Sequence, residues 1–167
     1  MFPKLAPILD YLNSLTSRSS LTHLHRMLME SDVTPHDLAA ACKFDQLHYS
    51  RNKMACSDWY DCYLMCWRPG QTTAIHDHAG SSCAFKILEG TATETACLLT
   101  DSEKRLVREC KQTQLGVGQV CVAQDLEIHK ISNASESANL ITLHIYSPPL
   151  KMGVYEVDPS EPASAHP

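Results

Sequence analysis

The 167-residue chain has no apolar run approaching the roughly 20 residues that a membrane-spanning helix needs. It also lacks a basic excess: 14 Lys plus Arg stand against 19 Asp plus Glu, a formal net charge of −5. That balance argues against nucleic acid or an anionic membrane as the main partner. Only 6 glycines occur and none builds a phosphate-cradling loop, so no cofactor beyond a metal ion is expected. Met1-Phe2-Pro3-Lys4 runs into a stretch interrupted by Asp10, Asn13 and Ser14, which does not read as a secretory leader, and a cytoplasmic location is the expectation. No C-x-x-C occurs among the 8 cysteines. Cys42, Cys56, Cys62, Cys66, Cys83, Cys97, Cys110 and Cys121 are scattered through strand-like apolar segments rather than loops. They read mostly as reduced core thiols. A hydrophobic content of 44% suffices for one core without disulfide support.

What is present divides into two textures. Leu5, Ile8, Leu9, Leu12 and Leu15, then Leu21, Leu24, Met27 and Leu28, recur at helical spacing. Thr34-Pro35-His36-Asp37 adds a helix start, with a hydroxyl cap and proline at the first helical position, leading to a third helix ending near Cys42. Beyond it the chain becomes short segments rich in Tyr, Trp, Ile, Val, Thr and Cys, broken by turn residues. Strands are predicted near 47–54, 59–67, 72–77, 83–88, 91–99, 105–113, 119–123, 128–133, 139–147 and 153–157. The fold expected is mainly β: an antiparallel β-barrel or jelly roll over 46–157 with a helical cap over 1–45, as one domain. Residues 158–167 are too poor in apolar groups to pack and read as a loose tail. A monomer is expected.

Nine histidines carry the most information. His76-Asp77-His78 places two imidazoles at i and i+2, which on a strand share a face, with Asp77 turned away. His129 and His144 lie in two later strand-like segments. Two neutral imidazoles joined by a third would bind a divalent metal and leave half its coordination sphere open. A single strand histidine is more often a hydrogen-bonded core residue, so the setting decides. Gly70, five residues, His76-x-His78, four residues, Cys83, six residues and Gly90 together resemble the first cupin motif, with cysteine where that motif usually carries glutamate. Gly118, His129 and Asn133 resemble the second, although Gln124 and Leu126 stand where its proline and glycine are expected. His23, His25, His36, His48 and His166 have no matching partners, and Met27, Met29 and Met54 read as core fillers.

Three separate places then coincide: Tyr49-Ser-Arg51-Asn52; Cys66-Trp67 ahead of Ile75-His76-Asp77-His78, Cys83 and Leu88-Glu-Gly90; and His144-Ile-Tyr146-Ser147-Pro148-Pro149. Over about Leu47 to Pro149 the chain resembles the cysteine dioxygenase family, small thiol dioxygenases of the cupin superfamily. The resemblance implies ferrous iron, Fe(2+), on His76, His78 and His129; zinc also accepts three histidines, so iron rests on the resemblance. It implies Arg51 as clamp for the substrate carboxylate, with Tyr49 beside it and Arg68 the competing arginine on a turn. Cys83 and Tyr146 are implied to join in a thioether, with a buried unbonded pair as the plain alternative. Tyr146, His144 and Cys83 form the catalytic group, and His144 is a relay from Thr142 to Tyr146, with threonine where better-known members have serine. Trp67 is expected beside them, and a cis Ser147–Pro148 bond after them. The activity implied is oxidation of L-cysteine by O2 to cysteine sulfinic acid. The rivals are the same chemistry on 3-mercaptopropionate, which related enzymes pair with glutamine at the Arg51 position; a non-catalytic metal cupin such as a thiol sensor; and a zinc or manganese cupin isomerase.

Overall fold

The computed structural model describes residues 2–160. Residues 161–167, which hold His166 and most of the expected tail, lie outside the described residues. Helix α1 (Ala6–Asn13) follows a 3-10 turn at Pro3–Leu5, and α2 (Leu21–Glu30) starts at Ser20. The Ser20 hydroxyl accepts from the His23 amide at 3.2 Å, closing one of the unpaired amides of the first turn. The expected third helix is instead a 3-10 segment, His36–Ala41, with Pro35 preceding rather than opening it. Thr34 and Asp37 do cap it reciprocally, the Thr34 hydroxyl donating to the Asp37 carboxylate at 2.6 Å. Leu38 is its single buried residue, too little apolar surface to hold a longer helix against the core.

Ten strands follow: β1 (Ser50–Ser57), β2 (Tyr60–Trp67), β3 (Ile75–His76), β4 (Ser82–Glu89), β5 (Ala92–Asp101), β6 (Leu106–Leu115), β7 (Val120–Gln124), β8 (Ile128–Ser132), β9 (Leu140–Ser147) and β10 (Val154–Val157). One sheet runs β1-β2-β9-β4-β7, and a second, β10-β3-β8-β5-β6, closes on itself. The closing pair, β10 with β6, is parallel, a departure from the all-antiparallel expectation. The first strand starts three residues later than predicted, at Ser50 rather than 47. The cause is Asp45, whose carboxylate accepts from the amides of Leu47 and His48 at 2.8 and 3.0 Å and turns that stretch out of the sheet. The third strand shrinks to two residues, and it ends at His76 because the amides of Asp77 and His78 bond loop carbonyls, those of Gly153 and Asp125. Gly90 turns β4 into β5 at φ +78, and any side chain there would strike the Asn139 carbonyl.

Period-two alternation allots each central strand to two different environments. Ile141, Leu143 and Ile145 of β9 join Cys62, Leu64 and Cys66 of β2, together with Leu5, Ile8, Leu12, Leu24 and Leu28, in a core between helices and sheet. The alternate residues, Met65 and Trp67 of β2, Cys83, Phe85 and Ile87 of β4, and Leu140 and Tyr146 of β9, face Ala92, Leu115 and Ile131 of the second sheet. The helical cap therefore covers the outer face of the first sheet. Cys62, Cys66, Cys83, Cys97 and Cys121 are buried as expected, but Cys56 and Cys110 are exposed, Cys110 lying at a bulge that breaks the β5–β6 register. Met29 is likewise exposed rather than core, since it falls on the outer side of α2. Asp158, placed in the loose tail by composition, is held by Val107 and Thr100 through its amide and carboxylate at 2.8 Å each. Leu24→Ala should lower unfolding free energy by about 2–5 kcal/mol, as a fully buried leucine does. A urea titration that leaves the midpoint unmoved would show that the cap does not contribute to the core.

Candidate metal centre and active site

The antiparallel pairing of β3 with β8 sets His76 opposite His129, and His78 follows two residues later, just beyond the end of β3. The three ring centroids form a near-equilateral triangle with sides of 5.2, 5.0 and 4.9 Å. One ring nitrogen of each lies within 4.8 Å of the other two, and all three residues are buried. Asp77 points the other way, accepting from the Gly153 amide at 2.8 Å and the Tyr155 hydroxyl at 2.7 Å. Burial, then the neighbouring His129, pushes His76 down to about 4 and His78 down to about 3. Both rings are therefore neutral near pH 7, with a lone pair available to a cation.

The second nitrogens discriminate among the rings. His76 directs Nδ1 at the Ala74 carbonyl, 3.0 Å away, and His129 directs Nδ1 at Glu94 Oε1, 2.7 Å away. Such acceptors hold a proton on Nδ1 and leave Nε2 as the donor atom. His78 Nδ1 is the one buried side-chain nitrogen or oxygen without a hydrogen-bond partner among the described residues. Three buried, inward-facing imidazoles fit a divalent metal ion, and no carboxylate belongs to the group. Glu94 escaped the sequence reading. Its only sequence signal is being the sole charged residue in β5 before Asp101, and its relation to His129 emerges only from the β5–β8 register, which pairs Ala96 with His129. Burial pushes the Glu94 carboxyl up, but the His129 bond and charge and the Cys121 bond together bring it below the ordinary value.

The opposite wall of the same cavity comes from the first sheet: Arg51, Met65, Cys83, Phe85, His144 and Tyr146. Arg51 reaches it from exposed β1 and donates to the Tyr49 hydroxyl at 2.9 Å. Tyr49 stacks on Trp67 with centroids 4.2 Å apart. Arg68, the competing arginine, bonds the Asp45 carbonyl at the surface and takes no part in the cavity. On β9 the Thr142 hydroxyl meets His144 Nε2 at 2.8 Å and His144 Nδ1 meets the Tyr146 hydroxyl at 3.2 Å. The Trp67 indole N–H donates to Thr142 Oγ1 at 3.0 Å. Indole can only donate, so Thr142 Oγ1 accepts from Trp67; in the His144 tautomer that carries its proton on Nδ1, the series continues as Thr142 O–H to Nε2 and Nδ1–H to the Tyr146 oxygen. In that tautomer the Tyr146 proton is left to point into the cavity. Burial keeps His144 well below its usual value and Tyr146 well above its own, so both stay neutral. Cys83 faces Tyr146 across the β4–β9 ladder, and both line the cavity.

A family model described as Cysteine dioxygenase type I matches residues 5–155. The chain belongs to the cysteine dioxygenase type I family. Within the family it is 32% identical to human cysteine dioxygenase type 1 over 122 residues, which are 72% of this chain and 60% of the human one. It is 34% identical to the zebrafish (Danio rerio) enzyme of the same name over 130 residues, 74% of this chain and 64% of that one. The match thus spans less than two thirds of those relatives' length. Among solved structures, a Klebsiella pneumoniae protein with a double-stranded β-helix domain superposes at TM-score 0.60 and 15% identity, over 75% of this chain and 93% of that one. An RmlC-like cupin protein from Desulfovibrio desulfuricans superposes at 0.53 and 18%, over 71% and 99%. These establish the cupin fold.

In this family member the candidate site residues other than Arg68 lie at or directly behind one cavity. His76, His78, His129, Arg51, Cys83, His144 and Tyr146 line it, while Tyr49, Trp67 and Thr142 support them. The Ser147–Pro148 bond is cis, as the resemblance implied. Thr142→Val removes the hydroxyl between two buried nitrogens and should cost about 1–3 kcal/mol in urea unfolding. Thr142→Ser should restore most of it. Equal stability of the valine variant and the parent would show that this contact chain contributes nothing.

Proposed function

We propose that the chain is a thiol dioxygenase that converts L-cysteine to cysteine sulfinic acid, with iron(II) held by His76, His78 and His129. The observation that supports it is one cavity in which three converging imidazoles face a guanidinium and a Cys83–Tyr146 pair. Ferrous iron, when bound, supplies the redox centre for a balanced reaction, RS⁻ + O₂ → RSO₂⁻, that needs no outside reductant. The partners on this reading are the small thiol and dioxygen.

The protein's own groups then divide the work. An all-imidazole donor set contributes no negative charge, so the site favours an anionic ligand such as a substrate thiolate. Arg51 presents a planar fork matched to a carboxylate, and one of its N–H groups is already steadied by Tyr49. Tyr146, oriented by the chain from Trp67, aims a proton at the place where negative charge builds on oxygen. Joining Cys83 Sγ to a Tyr146 ring carbon would remove one hydrogen from each, two electrons in all, with dioxygen as acceptor. The bond would fix the phenol in place and reduce the ordering required during reaction.

The deciding experiment loads the protein anaerobically with ferrous iron and cysteine, then admits oxygen. One sulfinate, identified by mass, should appear per dioxygen consumed. A large preference for 3-mercaptopropionate would overturn the choice of substrate. Thiol binding without oxygen uptake would favour a metal-bound thiol sensor instead. Arg51→Gln should lower kcat/KM for cysteine about 100-fold, mainly through KM, since two charge-assisted hydrogen bonds at about 1.5 kcal/mol each are lost.

A further inference from the structure

The three ligand rings are not equivalently supported. His76 is held by a backbone carbonyl, His78 Nδ1 meets no partner, and His129 alone meets a charged group, Glu94. Glu94 is anchored in turn by the thiol of Cys121 on β7, which donates to the same Oε1 at 3.3 Å. Glu94 and His129 come from neighbouring strands, β5 and β8, and the carboxylate side chain is 22% exposed against 5% for the imidazole. Glu94 shares the inward face of β5 with Ala92 and Ala96, and its carboxylate lies behind the His129 ring, outside the set of residues that line the cavity the three imidazoles share.

We propose that Glu94 is a positioning residue for the metal centre, acting through His129: its carboxylate fixes the ring's tautomer and orientation and strengthens Nε2 as a donor. This rests on the metal reading of the site given above. Cys83 occupies the position at which a carboxylate would bind the metal directly, and Glu94 supplies negative charge one bond further out. There it neither occupies a coordination position nor repels an incoming thiolate at contact distance. A ring whose Nδ1–H points at a carboxylate is a stronger base at Nε2 than one facing a carbonyl. The geometry thus marks His129 as the strongest of the three donors.

Cobalt(II) serves as the probe, titrated anaerobically into metal-free protein against a competing chelator, with its visible absorption recorded. Glu94→Ala should bind cobalt roughly 10–100-fold more weakly than the parent and shift the visible bands. Glu94→Gln keeps an acceptor for Nδ1–H without the charge, and should recover part of the affinity. A structural role alone would lower the melting temperature of the metal-free variants but leave affinity and spectrum unchanged, and that result overturns the proposal. Where Glu94→Ala does not fold, a Glu94→Gln affinity and spectrum indistinguishable from the parent overturn it equally. Cobalt binding that weakens in the variants, beside an iron-loaded parent that does not oxidise cysteine, would overturn the proposed activity and leave the role of Glu94 standing. A parent that binds no cobalt overturns both.

Discussion

Strand β9 is covered on both faces, and the rest of the molecule is arranged around that constraint. All eight of its residues are buried, so each polar group on it must find a partner within the protein. On the outer side the demand is met by removing polarity: Ile141, Leu143 and Ile145 pack against the helices. On the inner side Thr142, His144 and Tyr146 satisfy one another in series, with Trp67 supplying the first proton. The cap is thus a condition for the relay rather than an appendage, because without it the apolar face of the same strand would meet water. Two further ties hold it there. Lys86 of β4 donates to the Leu28 and Ser31 carbonyls at the end of α2, which explains a buried lysine on an otherwise apolar face. Ser19, between the helices, donates its amide to Ser147 at the end of β9 and accepts from Ser82 at the start of β4.

Charge is distributed with similar economy. The buried rings of His76 and His78 hold their lone pairs ready without needing to lose protons, and burial is the main cause. A carboxylate ligand would make the centre less hospitable to an anion. Glu94 and Asp77 both lie within reach of the histidine segment, yet neither lines the cavity: Glu94 is engaged by Nδ1 of His129 and the Cys121 thiol, and Asp77 by the backbone and hydroxyl of the β10 region. Positive charge on the opposite wall comes from Arg51 alone among the lining residues. On the proposed reading, a small zwitterion with a thiolate and a carboxylate matches that division, with its carboxylate at Arg51.

How legible this was in the sequence depended on whether a feature is local. His76-x-His78 and Thr142-x-His144-x-Tyr146 were readable because their spacing equals the strand period, and each alternation survives in the structure. Tyr49-x-Arg51 was readable for the same reason, even though an Asp45 turn keeps Tyr49 just outside β1. Strand number was also legible, since turn residues separate the segments. Glu94 was not, because its importance comes from the pairing of β5 with β8, a contact across 35 residues. The parallel closure of β10 on β6 is hidden likewise, as periodicity reports which residues share a face but not which strand lies alongside. Met29 and Cys56 misled because composition was taken for burial: each is an apolar type on an outward-facing position.

The cavity lies between two sheets, and each contributes a different function. His76 and His129, with Glu94 behind them, belong to the self-closing sheet, whereas Cys83, His144, Tyr146 and Arg51 belong to the sheet under the helices. A substrate that reached from metal to Arg51 would span the two. The distance between the three imidazoles and the Tyr146 hydroxyl is therefore set by neither ladder but by the packing of Met65, Phe85, Ile87 and Leu140 against Ala92, Leu115 and Ile131. Side chains that touch no reacting group thereby govern the alignment of those that do, and misplacement on the order of 1 Å can cost about 100-fold in rate. Within each sheet, by contrast, hydrogen-bonded register fixes the partners: Cys83 must face Tyr146 and His76 must face His129. The pairs that must stay together are placed within a ladder, and the adjustable gap is placed between ladders, where a change in one apolar side chain tunes it without breaking a hydrogen bond.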